Sequence, residues 1–369
     1  MARARGVCAF SNPSRERRPL ISPCVPPVKC FPMSVHSLIP GLAAVGTILG
    51  LAPSAAAQDP LPQVVLSSAP SPLTEGTIAW LRVRSDSAKV TGGTAAGEPV
   101  HFEQTETGTY LGLAGVPLDA PDSLRVSLFL AREGRVDTVW AAVAVVPGGY
   151  PRETISVAPG FAKPDHVAAA RIQRENARSR QVSRASRDRP RLWGGAFRLP
   201  RDGRITSGFG AARVYNGDVK SRHTGTDFAG AVGAPVSAAG RGVVALVADF
   251  YLAGRAVYID HGAGLVTAYF HLSRSDVAEG DTVVTGQRIG AVGRSGRVTG
   301  PHLHWVARYG TISVNPMSLL ALVGPDCHPE RHRLPATPAD SAAPAIPAAP
   351  PSDPPYPCSA SSPDLRRMP

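Results

Sequence analysis

Between about Pro62 and Val157, apolar and polar positions alternate with a period of two. Ala79, Leu81 and Val83 interleave with Trp80, Arg82 and Arg84, while Val126, Leu128 and Leu130 interleave with Arg125, Ser127 and Phe129. Successive side chains of a strand point to opposite faces, so the pattern predicts short strands with one buried face. Turn signals such as Gly92-Gly93, Gly108 and Glu133-Gly134 separate them, and their spacing predicts a small immunoglobulin-like β-sandwich over residues 58–157. The pattern changes at Pro164-Asp165, where a run rich in Ala, Arg, Gln and Glu begins and continues to about Arg189. Helix-forming composition, Asp165 as a start signal and Pro190 as a stop predict a basic helical linker within residues 158–196. Its apolar stripe is thin, little more than Val167, Ile172 and Val182, which suits a docked or frayed linker rather than a core helix.

From Phe197 to about Leu322, β-branched and Gly-rich strands return, among them Arg241 to Val247, Ala256 to Asp260, Val266 to Phe270, Ile289 to Val292 and Leu303 to Val306. No stretch there forms a convincing long amphipathic helix, so a βαβ architecture is not expected and the whole chain reads as mostly β. The 369 residues suffice for two such domains plus tails.

Both ends read differently. An apolar run from Leu38 to Ala52, interrupted by Pro40, leads into Ala55-Ala56-Ala57 and then Gln58-Asp59. Residues 1–57 therefore read as a signal peptide, with a possible extension before Met33, and the run of about 15 residues is too short to span a bilayer. The mature protein is expected in the periplasm or the extracellular cell envelope, without a membrane span. Residues 323–369 become rich in Pro, Ala and Ser, a composition expected to stay disordered. Cleavage after Ala57 would leave only Cys327 and Cys358 of the five cysteines, paired in an oxidising compartment or free in the tail. The net charge of +11 is concentrated in the first 57 residues and in 163–191. No aromatic residues interleave with those linker arginines as a base-stacking platform needs, so no nucleic-acid partner is expected.

The candidate chemistry lies in two segments, Ser221-Arg-His-Thr-Gly-Thr-Asp-Phe228 and Gly300-Pro-His-Leu-His-Trp305. His302 and His304 are two apart and share one face of a strand. Gly225 and the neighbouring threonines argue against a helix between His223 and Asp227, so the set comes from separate strands or turns. His223, Asp227 and His304 make a three-ligand zinc set of the catalytic kind, which leaves a position for water; structural zinc sites are usually closed by four ligands. His271 and His302 are two further imidazoles able to accept or return a proton. Without a His-Glu-x-x-His helix, the base would be histidine rather than glutamate. His101 stands alone, and His261 in Asp260-His-Gly262 reads as structural. His328 and His332 read as tail residues. Tyr215 and Asn216 receive no role.

These residues resemble the lysostaphin-type zinc endopeptidases of bacterial cell-wall peptidoglycan. The series Ser207-Gly-Phe-Gly210 with Arg213, His223 to Asp227, Gly233-Ala-Pro-Val236, Asp260-His-Gly262, Tyr269-Phe-His-Leu272, Gly286-Gln-Arg-Ile-Gly290 and Gly300-Pro-His-Leu-His304 follows the family's order within about residues 197–318. The resemblance implies one Zn2+ held by His223, Asp227 and His304, with His271 and His302 beside the scissile carbonyl as base or oxyanion stabiliser. It implies a β-rich fold with an open groove over residues 197–322 and a peptidoglycan peptide as substrate. The competing expectation is a non-catalytic envelope scaffold that binds peptidoglycan or activates another hydrolase. Relatives of that kind lack some of the ligand positions, all of which are present here.

Overall fold

The structure is a computed structural model and describes residues 61–322 except 216 and 218. The expected signal peptide, the C-terminal tail, Cys327, Cys358, His328 and His332 lie outside the described residues. The described chain is mostly β, as the alternating pattern predicts.

The N-terminal part contains β1 (Val65–Ala69), β2 (Leu73–Thr74), β3 (Ile78–Arg84), β4 (Lys89–Ala95) and β5 (Glu98–Val100). It continues through β6 (Phe102–Glu106), β7 (Thr109–Gly115), β8 (Ser123–Arg132) and β9 (Arg135–Val146). Two sheets result, in the orders β1-β3-β7-β6 and β2-β9-β8-β4-β5. Ala79, Leu81 and Val83 from the first and Val126, Leu128 and Leu130 from the second meet in one core. Alternation thus puts one face of each sheet inside and leaves the arginines of β3 outside.

The chain then forms β10 (Arg152–Ile155), a single turn α1 (Pro159–Ala162) and helix α2 (His166–Ala185). Although composition groups residues 152–155 with the preceding strands, β10 pairs in parallel with β12 (Ala212–Tyr215), beyond the helix. Asp165 caps α2 by accepting from the Ala168 N–H at 2.8 Å, satisfying one of the helix's free donors. The helix ends earlier than its composition predicts and runs on as a 3-10 turn, Ser186–Asp188. Its inward face is small and polar, with Ser179 and Ser183 buried, and this lets the helix pack closely on a sheet despite its thin apolar stripe.

The C-terminal part begins with β11 (Ile205–Ser207), followed by β12, β13 (Val219–Arg222), β14 (Thr226–Ala229), β15 (Pro235–Ser237), β16 (Gly242–Phe250) and β17 (Gly254–Gly262). It closes with β18 (Leu265–Ser275), β19 (Thr282–Val283), β20 (Arg288–Val292), β21 (His302–Tyr309), β22 (Ile312–Val314) and a 3-10 helix, Pro316–Ala321. The central path runs β11-β14-β21-β18-β17-β16-β19. One face carries Leu303, Trp305, Tyr269 and Ile259 into the main core, which also takes in Ile78 and Leu113 from the N-terminal strands. The other face packs Leu246, Tyr258, Ala268 and Val306 under Val182 of α2. A fully buried large apolar side chain contributes roughly 1.5–3 kcal/mol, so Trp305 and Tyr269, both fully buried, anchor β21 and β18 firmly. The helix covers only part of the second face. The remainder, at the β14-β21 end, is the floor of a cavity.

Candidate active site

Sheet register assembles the cavity floor. Asp227 on β14 lies directly opposite His304 on β21, and Ala229 lies opposite His302. Opposed residues of an antiparallel pair share a face, so Asp227, His302 and His304 all project into the cavity. His223 follows β13 and enters from the turn that Gly225 closes. A Cβ on Gly225 would lie 2.5 Å from the Trp305 carbonyl oxygen and 2.8 Å from His304 Nε2. Only a residue without a side chain lets this turn pass so close to β21.

Three buried atoms converge. Asp227 Oδ1 lies 2.6 Å from His304 Nδ1 and 3.1 Å from His223 Nε2, and the two imidazole nitrogens are 3.0 Å apart. Among the described residues, His223, Asp227 and His304 are the only group of three His, Cys, Asp or Glu able to hold a metal ion, with donor atoms all within 4.8 Å. The Nδ1–H of His223 donates to the Gly208 carbonyl at 2.7 Å, which turns an Nε2 lone pair toward Asp227 and His304. With His223 Nε2 bare, at most the His304 Nδ1 proton is available to this cluster of acceptors, buried at 2 %, 6 % and 9 % residue exposure, and a cation among them would satisfy all three. Two imidazoles and a carboxylate therefore fit a zinc-type ion. Burial alone would raise Asp227, but His304 and His223 hold its carboxyl well below the usual carboxylate range. Burial lowers His304 to about 4, with Asp227 opposing. Both groups thus favour the deprotonated forms a metal requires.

Arg213 on β12 holds the other carboxylate oxygen, donating from Nη2 to Asp227 Oδ2 at 2.8 Å. The same nitrogen donates to Ser207 Oγ at 2.7 Å, and Nε donates to Glu153 Oε2 at 3.1 Å.

His271 reaches the site by a backbone irregularity. Phe270 lies opposite His304 and stacks on it at 5.4 Å, so strict alternation would turn His271 to the opposite face. The β17–β18 register shifts between Arg255/Val257, where Ala256 on β17 faces both Phe270 and His271 on β18, and His271 adopts a left-handed backbone with φ 62°. Such a bulge re-aims a side chain, and a non-glycine residue in that region costs about 1 kcal/mol or more. The ring lands with its centroid 4.8 Å from His302 and 5.8 Å from His304. Its Nδ1–H donates to the Ser295 carbonyl at 2.8 Å. Burial, reinforced by His304 and His302, lowers its pKa to about 3. His302 likewise donates from Nδ1 to the Gly300 carbonyl at 2.8 Å, and its Nε2 lies 3.7 Å from Asp227 Oδ1.

The remaining candidates fall where the sequence suggests or away from the cavity. His261 is fully buried behind it, with Nδ1 2.8 Å from the Arg241 carbonyl and Nε2 2.8 Å from Thr267 Oγ1. His101 is exposed on the N-terminal part. Tyr215 lines the cavity beneath the Arg297 guanidinium, 4.4 Å from its ring centre, and Asn216 lies outside the described residues. Sequence reasoning misses Glu153, which belongs to no motif. It also leaves the contacts of Ser207 and Arg213 unread, although their motif is visible. Ile155, Val157, Ile172 and Glu175 also line the cavity, so the connecting segment forms part of its wall.

The sheet gathers two histidines and an aspartate about one point, a set able to hold a metal ion, with two further histidines alongside. Residues 221–316 match Peptidase family M23, and the chain therefore carries an M23 domain, in agreement with the resemblance seen in its motifs. Among curated relatives, peptidoglycan DD-endopeptidase ShyA of Vibrio cholerae is 47 % identical over 105 residues, 28 % of this chain and 24 % of the relative. DD-carboxypeptidase/endopeptidase Mpg of Neisseria meningitidis is 46 % identical over 97 residues, 26 % of this chain and 22 % of the relative. The chain thus spans about a quarter of the length of these relatives. Among solved structures, a candidate peptidase M23 from Pseudomonas aeruginosa superposes with a TM-score of 0.52 at 26 % identity, covering 68 % of this chain and 95 % of that one.

Proposed function

We propose that this protein is an exported zinc-dependent endopeptidase that hydrolyses peptide bonds of bacterial peptidoglycan during cell-wall remodelling. The observation that carries the reading is the convergence of buried His223, Asp227 and His304, with His271 and His302 within 5 Å of each other at its edge. The names of the M23 relatives supply the substrate class.

In this reading His223 Nε2, Asp227 Oδ1 and His304 Nδ1 hold the ion. Zinc held by these residues would supply a water of lowered pKa and a Lewis acid for a peptide carbonyl. His271, whose Nδ1–H is committed to Ser295, presents Nε2 to the cavity and is neutral at pH 7, as an acceptor of the nucleophile's proton must be. His302, fixed in the same way by Gly300, presents its own Nε2 beside Asp227, where it can accept a proton and, once protonated there, donate to the developing oxyanion. Among the described residues no helix is long and apolar enough to cross a membrane, and export rests on the leader-like sequence of residues 1–57.

The domain reading is an immunoglobulin-like unit over 58–157, a helical linker over 158–196 and a peptidase domain over 197–322. The sheet orders β1-β3-β7-β6 and β2-β9-β8-β4-β5 support the first: with β1 and β2 taken as two halves of one edge strand, the first sheet follows the A-B-E-D order and β9-β8-β4 the G-F-C order of an immunoglobulin sandwich. The deciding experiment incubates the mature protein with isolated wall sacculi and identifies released peptides by mass spectrometry. Release that needs zinc and disappears with His304→Ala is expected. No zinc retained after dialysis, together with an unchanged cellular effect of His304→Ala, would favour the non-catalytic scaffold instead.

A further inference from the structure

The connecting strand β10 brings one carboxylate to the rear of the ligand set. Glu153 is the direct register partner of Arg213, so the backbone pairing fixes which side chains meet. Its two oxygens accept from Ser207 Oγ at 2.8 and 2.9 Å, and Oε2 accepts from Arg213 Nε at 3.1 Å. Ser207 Oγ lies 3.1 Å from His223 Nδ1, and Arg213 Nη2 donates to Asp227 Oδ2 at 2.8 Å. Glu153 touches no proposed ligand, yet it holds both groups that do. It stands outside the matched M23 region, residues 221–316.

We infer that Glu153 is a positioning residue for the metal centre, supplied by the segment that precedes the peptidase strands; this rests on the zinc reading above. Two physical requirements point to it. The first is charge. Arg213 places a guanidinium, 12 % exposed, against Asp227, and an uncompensated positive group so near a dication lowers the site's affinity for it. Glu153 at 3.1 Å neutralises that group where solvent screening is weak. The second is geometry. With Nε on Glu153 and Nη2 on Asp227, the guanidinium plane is fixed at two points. Asp227 Oδ2 is thereby kept occupied, and only Oδ1 turns toward His223 and His304. Outer partners of this sort commonly change metal affinity 10–100-fold.

The test measures zinc affinity of the metal-free mature protein by competition with a chromophoric chelator. Glu153→Gln keeps the shape and removes the charge, and about tenfold weaker binding is expected, with a metal-free melting temperature close to that of the wild type. In an Arg213→Met background, or Arg213→Gln should Met prevent folding, Glu153→Gln should cost no further affinity, because the charge it balances is gone. Equal zinc affinity in Glu153→Gln and wild type would overturn the inference, as would a loss that persists in full in the Arg213 variant. Wild-type protein that takes up no zinc at all would remove the metal reading itself, and this inference with it.

Discussion

Nε2 of His223 and Nδ1 of His304 lie 3.0 Å apart although 81 residues separate them in the chain. The contact depends on β14 pairing with β21 in one register only, Asp227 against His304. A slip of one residue would turn His304 to the buried face. His223→Ala or Asp227→Ala should therefore leave the sheets folded and abolish both zinc binding and peptide release. Metal content after dialysis is the measurement, and zinc retained at one ion per chain in either variant would contradict the ligand assignment.

His271 stands apart from the converging donors and is held by Ser295 rather than by Asp227. His271→Ala should keep zinc and lower turnover by about 10²–10⁴-fold, the usual contribution of a general base or acid. Metal analysis beside an assay on wall peptides separates the two effects. Loss of zinc in this variant would make His271 part of the ligand set.

Gly225 offers a test remote from the proton chemistry. Its absent side chain leaves room for the Trp305 carbonyl and His304, so Gly225→Ala should push the turn away from β21. Overpacking of this kind costs about 1–3 kcal/mol, and zinc affinity should fall along with the denaturant midpoint. A variant matching wild type in both would show that the turn can yield without moving His304.

His261 makes a pH-dependent contribution to stability. Burial lowers its folded pKa to about 4, against about 6.5 in the unfolded chain. The unfolded state therefore binds more protons between those values, so stability is lost as pH falls from about 6.5 to 4 and is flat above. The total is on the order of 3 kcal/mol for this one group. Urea unfolding of metal-free protein at pH 7 and pH 5 should show a smaller difference for His261→Phe than for wild type. An equal difference would place the titration elsewhere.

Much of this arrangement is legible in the sequence because it is local or periodic. Alternation marks β3 and β8, two-residue spacing puts His302 and His304 on one face, and Asp165 and Pro190 bracket α2. What alternation hides is His271, since the bulge that turns it inward depends on a register between β17 and β18 that no local pattern encodes. Glu153 is hidden for a related reason. Its neighbours in the chain resemble the end of a β unit, and its partner Arg213 lies across an intervening helix. Non-local pairing decides both cases.

Ile78 and Leu113 lie in the same core as Trp193, Tyr309 and Val314, and the Tyr309 hydroxyl donates to the Pro99 carbonyl at 2.7 Å. A fragment begun near Leu192 for laboratory production would leave those aromatic and aliphatic surfaces wet, inviting self-association. Poor yield or sluggish digestion by such a shortened protein would then reflect a torn core.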